Sequence, residues 1–423
     1  MVLKERGFIK EVSDDKLYDL FGDEEVTCYA GFDPSFISLG VGNLLVIMAL
    51  AHVQRCSHHV IALIGGGTGM IGDPSGKSEE RALLAHDELD RNVEGFRSQL
   101  EKLLKQDEQG NGSARVMNNA DWLSEYGFVE FLRDVGKHFR VSEMLAKESV
   151  KIRMESGEGI SFTEFSYMLL QSSDFLHLFS EHDCLVQFGG SDQWGNITAG
   201  IDLIRRVRGE TVYGVVFQLV TTPSGEKLGK SEEGERSGVY LDPQLTSPYE
   251  FYQFWINTDD KNVVQYLKWF TFLPLSEIQR LAELTANEPE KREAQRTLAY
   301  EVTNFVHGAE QADMAVRTSE ILFGKEISDV SDEMLEGIFK DVPSTELSWE
   351  HLGHGIPVVD AMVQCGISKG RSAARRLING GGMYLNNKRV TDTDYVITRG
   401  SLASAHIAVL RTGKRNYHLL KFA

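Results

Sequence analysis

Four short segments of this 423-residue chain carry residue types that do chemistry. In the stretch Ser161–Leu178, Tyr167, Gln171 and Asp174 are spaced i, i+4 and i+7. On a helix that spacing puts a phenol, an amide and a carboxylate on one face. Phe162, Phe165 and Phe175 flank them, so the polar stripe is read as the wall of a cavity rather than a solvent face. The run Gly189-Gly190-Ser191-Asp192-Gln193-Trp194-Gly195-Asn196 follows a strand pattern and opens a helix. Backbone N–H groups at such a start favour an anion or a sugar-phosphate. Asp192 there can accept hydrogen bonds from ribose hydroxyls, or serve only as a helix cap. Lys227-Leu-Gly-Lys230-Ser231 sets two lysines three apart in a loop. They can neutralise charge building on a leaving phosphate, or form a solvated basic turn.

The fourth segment is the glycine-rich run IGGGTGMIGDPSGKS, residues 64–78. Two familiar phosphate motifs are nearly present in it, and both are set aside. Gly67-x-Gly69-x-x-Gly72 has the dinucleotide spacing, but that site also needs an acid ending a second strand about 20 residues on. The acids there, Asp87, Glu88 and Asp90, fall in a helical pattern. Between Gly72 and Gly76 lie three residues where a P-loop requires four. What remains is a backbone-exposing loop carrying Lys77 and Arg81, which either closes on polyphosphate or is a solvated charged turn.

These segments need a frame. Residues 1–220 alternate apolar strand runs (Val26–Gly31, Val60–Ile64, Ala114–Met117, Leu185–Phe188, Gly214–Val220) with helical stretches (Leu44–Cys56, Asp87–Leu104, Ser161–Leu178, Ser191–Arg206). This alternation predicts a Rossmann-like, doubly wound parallel α/β sheet, which binds ligands at the carboxyl ends of its strands. Residues 221–242 read as a long loop rich in glycine, serine and charge. Residues 243–320 are helical in pattern, 321–355 read as a linker with a short helix, and 356–423 as a small α+β unit.

Net charge is −18, which argues against a general nucleic-acid binder. Yet residues 356–423 hold 11 Lys+Arg against 3 Asp+Glu, so a polyanion held at that end alone fits the distribution. No run approaches ~18 consecutive apolar residues, which excludes a membrane helix. The N-terminal stretch lacks the apolar core of a signal peptide. Cys28, Cys56, Cys184 and Cys365 have no paired spacing, which excludes a disulfide scaffold and a cysteine-based zinc site and favours a reducing compartment.

Taken together, the segments resemble bacterial tyrosyl-tRNA synthetases, class I enzymes, from about residue 5 to the C-terminus. The matching stretches are Tyr29-Ala-Gly-Phe-Asp-Pro34, Gly65–Arg81, FLRDVGKHF (131–139), ISFTEFSYMLLQSSDF (160–175), QFGGSDQWGNITAGIDLIRR (187–206), KLGKS (227–231) and SPYEFYQFWINTDD (247–260). The resemblance implies activation of L-tyrosine by ATP, with Mg²⁺ accompanying the nucleotide, then transfer of the tyrosyl group to tRNA(Tyr). It implies a cytoplasmic homodimer, with the FLRDVGKHF region near the two-fold axis, and no tightly bound protein metal.

Carried over residue by residue, the resemblance assigns Tyr29 and Asp174 to the phenolic hydroxyl of tyrosine. Asp73, Tyr167 and Gln171 go to its ammonium group and Gln193 to its carboxyl end, with Gln187 lining the same pocket. Gly31, Asp33, Gly42, Asn43, Gly190 and Asp192 go to ATP. Lys227, Lys230 and Ser231 form the second class I signature, of the KMSKS type. Lys77 and Arg81 face pyrophosphate. Lys369, Arg371, Arg375 and Arg376 fall within eight residues of a small domain that resembles an RNA-binding unit of a ribosomal protein. The resemblance implies that this domain and the helical piece 243–320 hold the anticodon arm and the long variable arm. One position departs from the pattern. The first signature reads His-x-Gly-His in the family and Gly40-Val41-Gly42-Asn43 here. Asn43 can still donate from its amide, and Ser35 keeps a hydroxyl. Gly40 removes an imidazole facing the γ-phosphate region, and Phe36 and Ile37 are bulkier than the family pattern. This opens an alternative: a catalytically impaired homologue that acts by binding RNA.

Overall fold

The computed structural model describes residues 2–75, 84–104, 112–155, 159–220, 238–328, 330–340, 342–413 and 416–423. The chain divides into two compact units, Met1–Ala312 and Asp313–Ala423.

The first unit is built on six strands: β1 (Ile9–Val12), β2 (Thr27–Phe32), β3 (His59–Ile64), β4 (Ala114–Asn118), β5 (Cys184–Gly190) and β6 (Tyr213–Phe217). Their order in the sheet is β1-β6-β5-β2-β3-β4. The pairs β6-β5, β5-β2, β2-β3 and β3-β4 are parallel, and β1 lies antiparallel on β6. The expected doubly wound sheet is therefore present, on the strands the apolar runs mark. Strand β1 has no such run: Ile-Lys-Glu-Val is half polar, because an edge strand leaves its middle residues exposed. Central strands are covered on both faces, and Cys28, Ala30, Val60, Ala62, Val186 and Val215 are all buried.

The order of connection reverses between β2, which leads to β3, and β5, which leads to β6. In open α/β sheets such a switch point leaves a crevice at the carboxyl ends of the two strands. Four helices surround it: α1 (Val41–Gln54), α2 (His86–Leu104), α3 (Phe162–His182) and α4 (Trp194–Arg208). Helix α3 starts at Ser161, whose hydroxyl accepts from the Glu164 N–H at 3.2 Å. Helix α4 stops at Gly209, whose φ of +76° is the left-handed conformation that glycine adopts without strain.

Residues 243–312 of this unit are helical, in segments Pro248–Ile256, Asp260–Phe270, Leu275–Asn287 and Glu293–His307. The aromatic run is their core: Phe251, Trp255 and Phe270 are fully buried, and the Trp255 and Phe270 rings lie 4.8 Å apart. The helix Ala309–Leu322 crosses the boundary between the two units.

In the second unit a five-stranded sheet runs Lys388–Arg389, Met383–Leu385, Ile407–Thr412, Asn416–Phe422, Ser344–Leu347. Its helices Val358–Gln364 and Arg371–Asn379 cover a core of Val358, Met362, Ala374, Ile378, Met383 and Leu420. The stretch 321–355, read from sequence as a linker, has structure of its own here. Ser344–Leu347 pairs in parallel with the last strand, and Leu347 joins the core. Four residues of mixed polarity at a sheet edge carry too little periodicity to show this in sequence. Among the described residues, no helix is long and apolar enough to cross a membrane.

Candidate active site

At the carboxyl ends of β2 and β5 lies a cavity of about 380 Å³. It gathers residues scattered over the first unit. Strand β2 and its following turn bring Tyr29, Gly31, Asp33 and Ser35, and α1 brings Gly42 and Asn43. The loop after β3 brings Asp73. The polar stripe of α3 brings Tyr167, Gln171 and Asp174, and β5 with the turn after it brings Gln187, Gly190, Asp192 and Gln193. The i, i+4, i+7 stripe thus faces the cavity. The glycine pair of β5 ends in a short 3₁₀ turn, Ser191–Gln193, that sets Asp192 and Gln193 on the rim before α4 begins.

The floor of the cavity is a directed hydrogen-bond chain. Asp174, buried, accepts from Asn119 Nδ2 on Oδ2 and from Trp122 Nε1 on Oδ1, both at 2.9 Å. Asn119 Nδ2 also donates to Thr68 Oγ1 at 3.0 Å, and Thr68 donates to Asp33 Oδ1 at 2.8 Å. The Tyr167 hydroxyl donates to Asp33 Oδ2 at 2.7 Å. Burial pushes the Asp174 carboxyl up to about 7, against the two hydrogen bonds that pull it down. Tyr29 is buried and, among the described residues, its hydroxyl has no hydrogen-bond partner. Burial, then the neighbouring Asp174, holds its phenol well above the usual range. An unpaired buried hydroxyl costs about 1–3 kcal/mol, so this corner is built for a partner that a ligand supplies. The Gln187 Oε1, also buried, is likewise unpartnered.

On the other side, Asp73 accepts from Gln193 Nε2 at 2.6 Å and from the Ser75 N–H at 3.0 Å. Asn196 Nδ2 bridges to Gln171 Oε1 at 3.0 Å. This holds an amide, a carboxylate and a phenol around one space, a set that matches an ammonium group.

The glycine-rich run serves this network rather than a dinucleotide. A Cβ on Gly65 would sit 2.0 Å from Asp33 Oδ1 and 2.4 Å from Thr68 Oγ1. One on Gly66 would sit 2.3 Å from Asn118 Oδ1. The Gly66 and Gly67 N–H groups donate to the side chains of Asn118 and Asn119. These glycines let the side chains that end β2 and β4 approach the backbone.

Thr68, Asn119, Trp122 and Asn196 were not singled out from sequence. The signal available for Asn119 was its place: a polar pair, Asn118-Asn119, at the carboxyl end of a predicted parallel strand, with Trp122 shortly after it. Thr68 and Asn196 sat inside segments already marked, hidden by the glycines and by Asp192. Lys77, Arg81, Lys227, Lys230 and Ser231 lie outside the described residues. Lys369, Arg371, Arg375 and Arg376 are exposed on and just before the helix Arg371–Asn379 of the second unit. Arg371 there forms a two-pronged ion pair with Asp360, at 2.6 and 2.9 Å.

At position 40 the turn is intact. Gly40 N–H donates to Asn43 Oδ1 at 3.0 Å, and its φ of −107° is open to any residue. Among the described residues, a Cβ there would have only the Val239 carbonyl within 4 Å, at 3.4 Å. The backbone therefore does not require glycine.

A crevice at the switch point, floored by a carboxylate and a buried phenol, is built to take a polar ligand. Residues 22–324 match the family described as tRNA synthetases class I (W and Y). The chain belongs to that family. Residues 333–420 match the tyrosine–tRNA ligase SYY-like C-terminal domain. A tyrosine–tRNA ligase of Roseiflexus castenholzii is 50% identical over 420 residues, 99% of this chain and 98% of that one. Another, from Bacillus caldotenax, is 46% identical over 423 residues, 100% of this chain and 99% of that one. Among solved structures, a C-terminally truncated Aspergillus nidulans mitochondrial tyrosyl-tRNA synthetase superposes with a TM-score of 0.70 at 34% identity. That match covers 76% of this chain and 93% of the other. Nothing in the fold or in these likenesses favours the impaired, RNA-binding alternative that Gly40 raised.

Proposed function

We propose that this chain is a tyrosine–tRNA ligase, and that one feature of the cavity carries the amino-acid choice. The unpartnered Tyr29 hydroxyl and the Asp174 carboxylate line the same cavity. A substrate phenol accepts from Tyr29, which lacks a partner, and adds a donor to Asp174 beside Asn119 and Trp122. Phenylalanine would leave the Tyr29 hydroxyl buried and unpaired, at about 1–3 kcal/mol, and would forgo the added bond to the carboxylate.

In this reading Asp73, Tyr167 and Gln171 hold the ammonium group of L-tyrosine, Gln193 its carboxyl end, and Gln187 the pocket wall. Gly31, Ser35, Asp33, Gly42, Asn43, Gly190 and Asp192 bind ATP, with Mg²⁺ carried on its phosphates. A tyrosine carboxylate oxygen attacks the α-phosphorus. The bond to the bridging oxygen breaks, pyrophosphate leaves, and tyrosyl-adenylate remains. A terminal ribose hydroxyl of tRNA(Tyr) then attacks the tyrosyl carbonyl, and AMP leaves. The work is positioning and charge stabilisation. Lys77, Arg81, Lys227, Lys230 and Ser231 are proposed to neutralise the phosphates. Lys369, Arg371, Arg375 and Arg376 are proposed to meet tRNA phosphates, with residues 243–320 as the anticodon-arm domain.

A homodimer is also proposed. Phe128, Val129 and Val141 are 60–75% exposed on either side of the FLRDVGKHF segment, apolar side chains that a second copy would cover. The proposed compartment is the cytoplasm. Tyrosine-dependent ATP–pyrophosphate exchange, followed by charging of tRNA(Tyr), tests the reading. Exchange that needs tyrosine supports it, and absence of such exchange at any enzyme concentration ends it.

A further inference from the structure

We propose that Phe36 and Tyr240 form a positioning pair for the nucleotide half of the cavity. They supply side-chain packing beside Gly40, which contributes none, without replacing a hydrogen-bond donor. The inference rests on the reading of this cavity as a site for tyrosine and ATP.

The turn that carries Phe36 is held from behind by one stripe of α2. Asn92 Nδ2 donates to the Pro34 carbonyl at 3.1 Å. Gly95 lets the Ile37 carbonyl approach so closely that a Cβ would lie 2.1 Å from it. Gln99 Oε1 accepts from the Leu39 N–H at 3.1 Å and from the Ser38 hydroxyl at 3.2 Å. Residues 92, 95 and 99 stand at i, i+3 and i+7, so a single helix face fixes the turn.

From the front, the turn is stitched to residues 239–242. The Val41 N–H donates to the Val239 carbonyl at 3.0 Å, and the Leu241 N–H to the Leu39 carbonyl at 2.9 Å. The Asp242 N–H donates to Ser38 Oγ at 3.2 Å. Gly40 and Tyr240 face each other across this bridge. Two rings also meet across it: Phe36 and Tyr240 lie 4.9 Å apart, tilted by 31°. Both rings line the cavity, beside Gly42 and Asn43.

Position 40 has room for a side chain, yet glycine contributes none to this seam. The ring pair supplies side-chain packing next to it. Loss of the Phe36 ring should let the Gly40–Asn43 turn and residues 239–241 shift relative to each other. Groups aimed at the nucleotide then lose their fixed geometry, while the Tyr29–Asp174 corner, carried by β2 and α3, does not.

The test is ATP–pyrophosphate exchange by the full chain, with ATP and tyrosine varied in turn. Phe36→Ala should raise KM for ATP by roughly fivefold and leave KM for tyrosine within about twofold. Phe36→Tyr, which keeps the ring, should stay close to the parent. Gly40→His should raise kcat with KM for ATP unchanged, which separates donation from packing. The proposal is overturned if Phe36→Ala moves neither KM, moves both alike, or is matched by Phe36→Tyr. Should Phe36→Ala fail to give a cooperative melt, Phe36→Leu, which fills the space without a ring, is judged by the same limits. Absence of tyrosine-dependent exchange in the parent chain overturns the underlying reading as well, whereas exchange with an unchanged Phe36→Ala overturns this inference alone.

Discussion

Lowering the pH from 8 to 6 should weaken tyrosine binding by roughly tenfold if Asp174 titrates near 7 and must be ionised to accept the substrate hydroxyl. The polarity of the corner requires the ionised form. Asn119 and Trp122 already donate to the two carboxylate oxygens, and Tyr29 is the remaining donor, available to the substrate oxygen. Removing one supporting donor should move the titration. A hydrogen bond to a charged group contributes about 1.5–3 kcal/mol. At ~1.4 kcal/mol per tenfold, Asn119→Ala should shift the midpoint of the profile up by about one to two pH units. At pH 7.5 that loses roughly another tenfold in affinity.

The stability of the ligand-free chain runs the opposite way. The folded carboxyl, raised above its ordinary 3.8, keeps a proton that the unfolded chain releases between pH 4 and 7. Its contribution is full below pH 4 and is lost as pH rises through 7. Asp174→Asn should remove both slopes. The assay is calorimetric titration with tyrosine from pH 5.5 to 9, beside thermal melts of the free chain. Tyrosine affinity that is flat from pH 6 to 8, or that rises as pH falls, refutes the reasoning. So does a profile that Asp174→Asn leaves unchanged.

Other perturbations separate the parts of the site. Tyr29→Phe should raise KM for tyrosine roughly five- to tenfold and narrow discrimination against phenylalanine, with KM for ATP unchanged in exchange kinetics. Thr68→Val should break the link between Asn119 and Asp33 and lower kcat/KM by about fivefold, with Thr68→Ser restoring it. Gly65→Ala should lower the melting temperature by several degrees and abolish exchange, because its Cβ would overlap the Asp33 carboxylate. Arg375→Ala with Arg376→Ala should raise KM for tRNA in charging assays, most at low salt, and leave pyrophosphate exchange alone. Arg371→Ala should matter less, since Asp360 already pairs with it.

Much of the first unit was legible because its signals are dense and local. Apolar strand runs, the i, i+4, i+7 stripe of α3 and the glycine pair ending β5 each predict their own surroundings, and the switch point follows from strand alternation. The illegible parts depend on contacts between distant segments. Strand β1 has no pattern because half of it faces solvent. Asn119 and Trp122 acquire meaning only when β4 is placed two strands away from Tyr29, over Asp174. The glycine-rich run held a near-match to a nucleotide fingerprint at Gly67-x-Gly69-x-x-Gly72, yet what demands Gly65 and Gly66 is the approach of Asp33 and Asn118, some 30 and 50 residues away in sequence. Gly40 read as a simple loss, because the ring pair beside it is assembled from residues about 200 apart. In the second unit, Ser344–Leu347 is a strand only because the chain's last strand lies next to it.

The central claim is that a substrate hydroxyl completes the bonding of Tyr29 and Asp174. Equilibrium binding of L-tyrosine and L-phenylalanine to the unmodified chain at pH 8 tests it most directly. One unmet buried hydroxyl and one forgone hydrogen bond to a carboxylate predict that phenylalanine binds roughly a hundredfold more weakly. Equal affinities, or tighter binding of phenylalanine, would contradict the account.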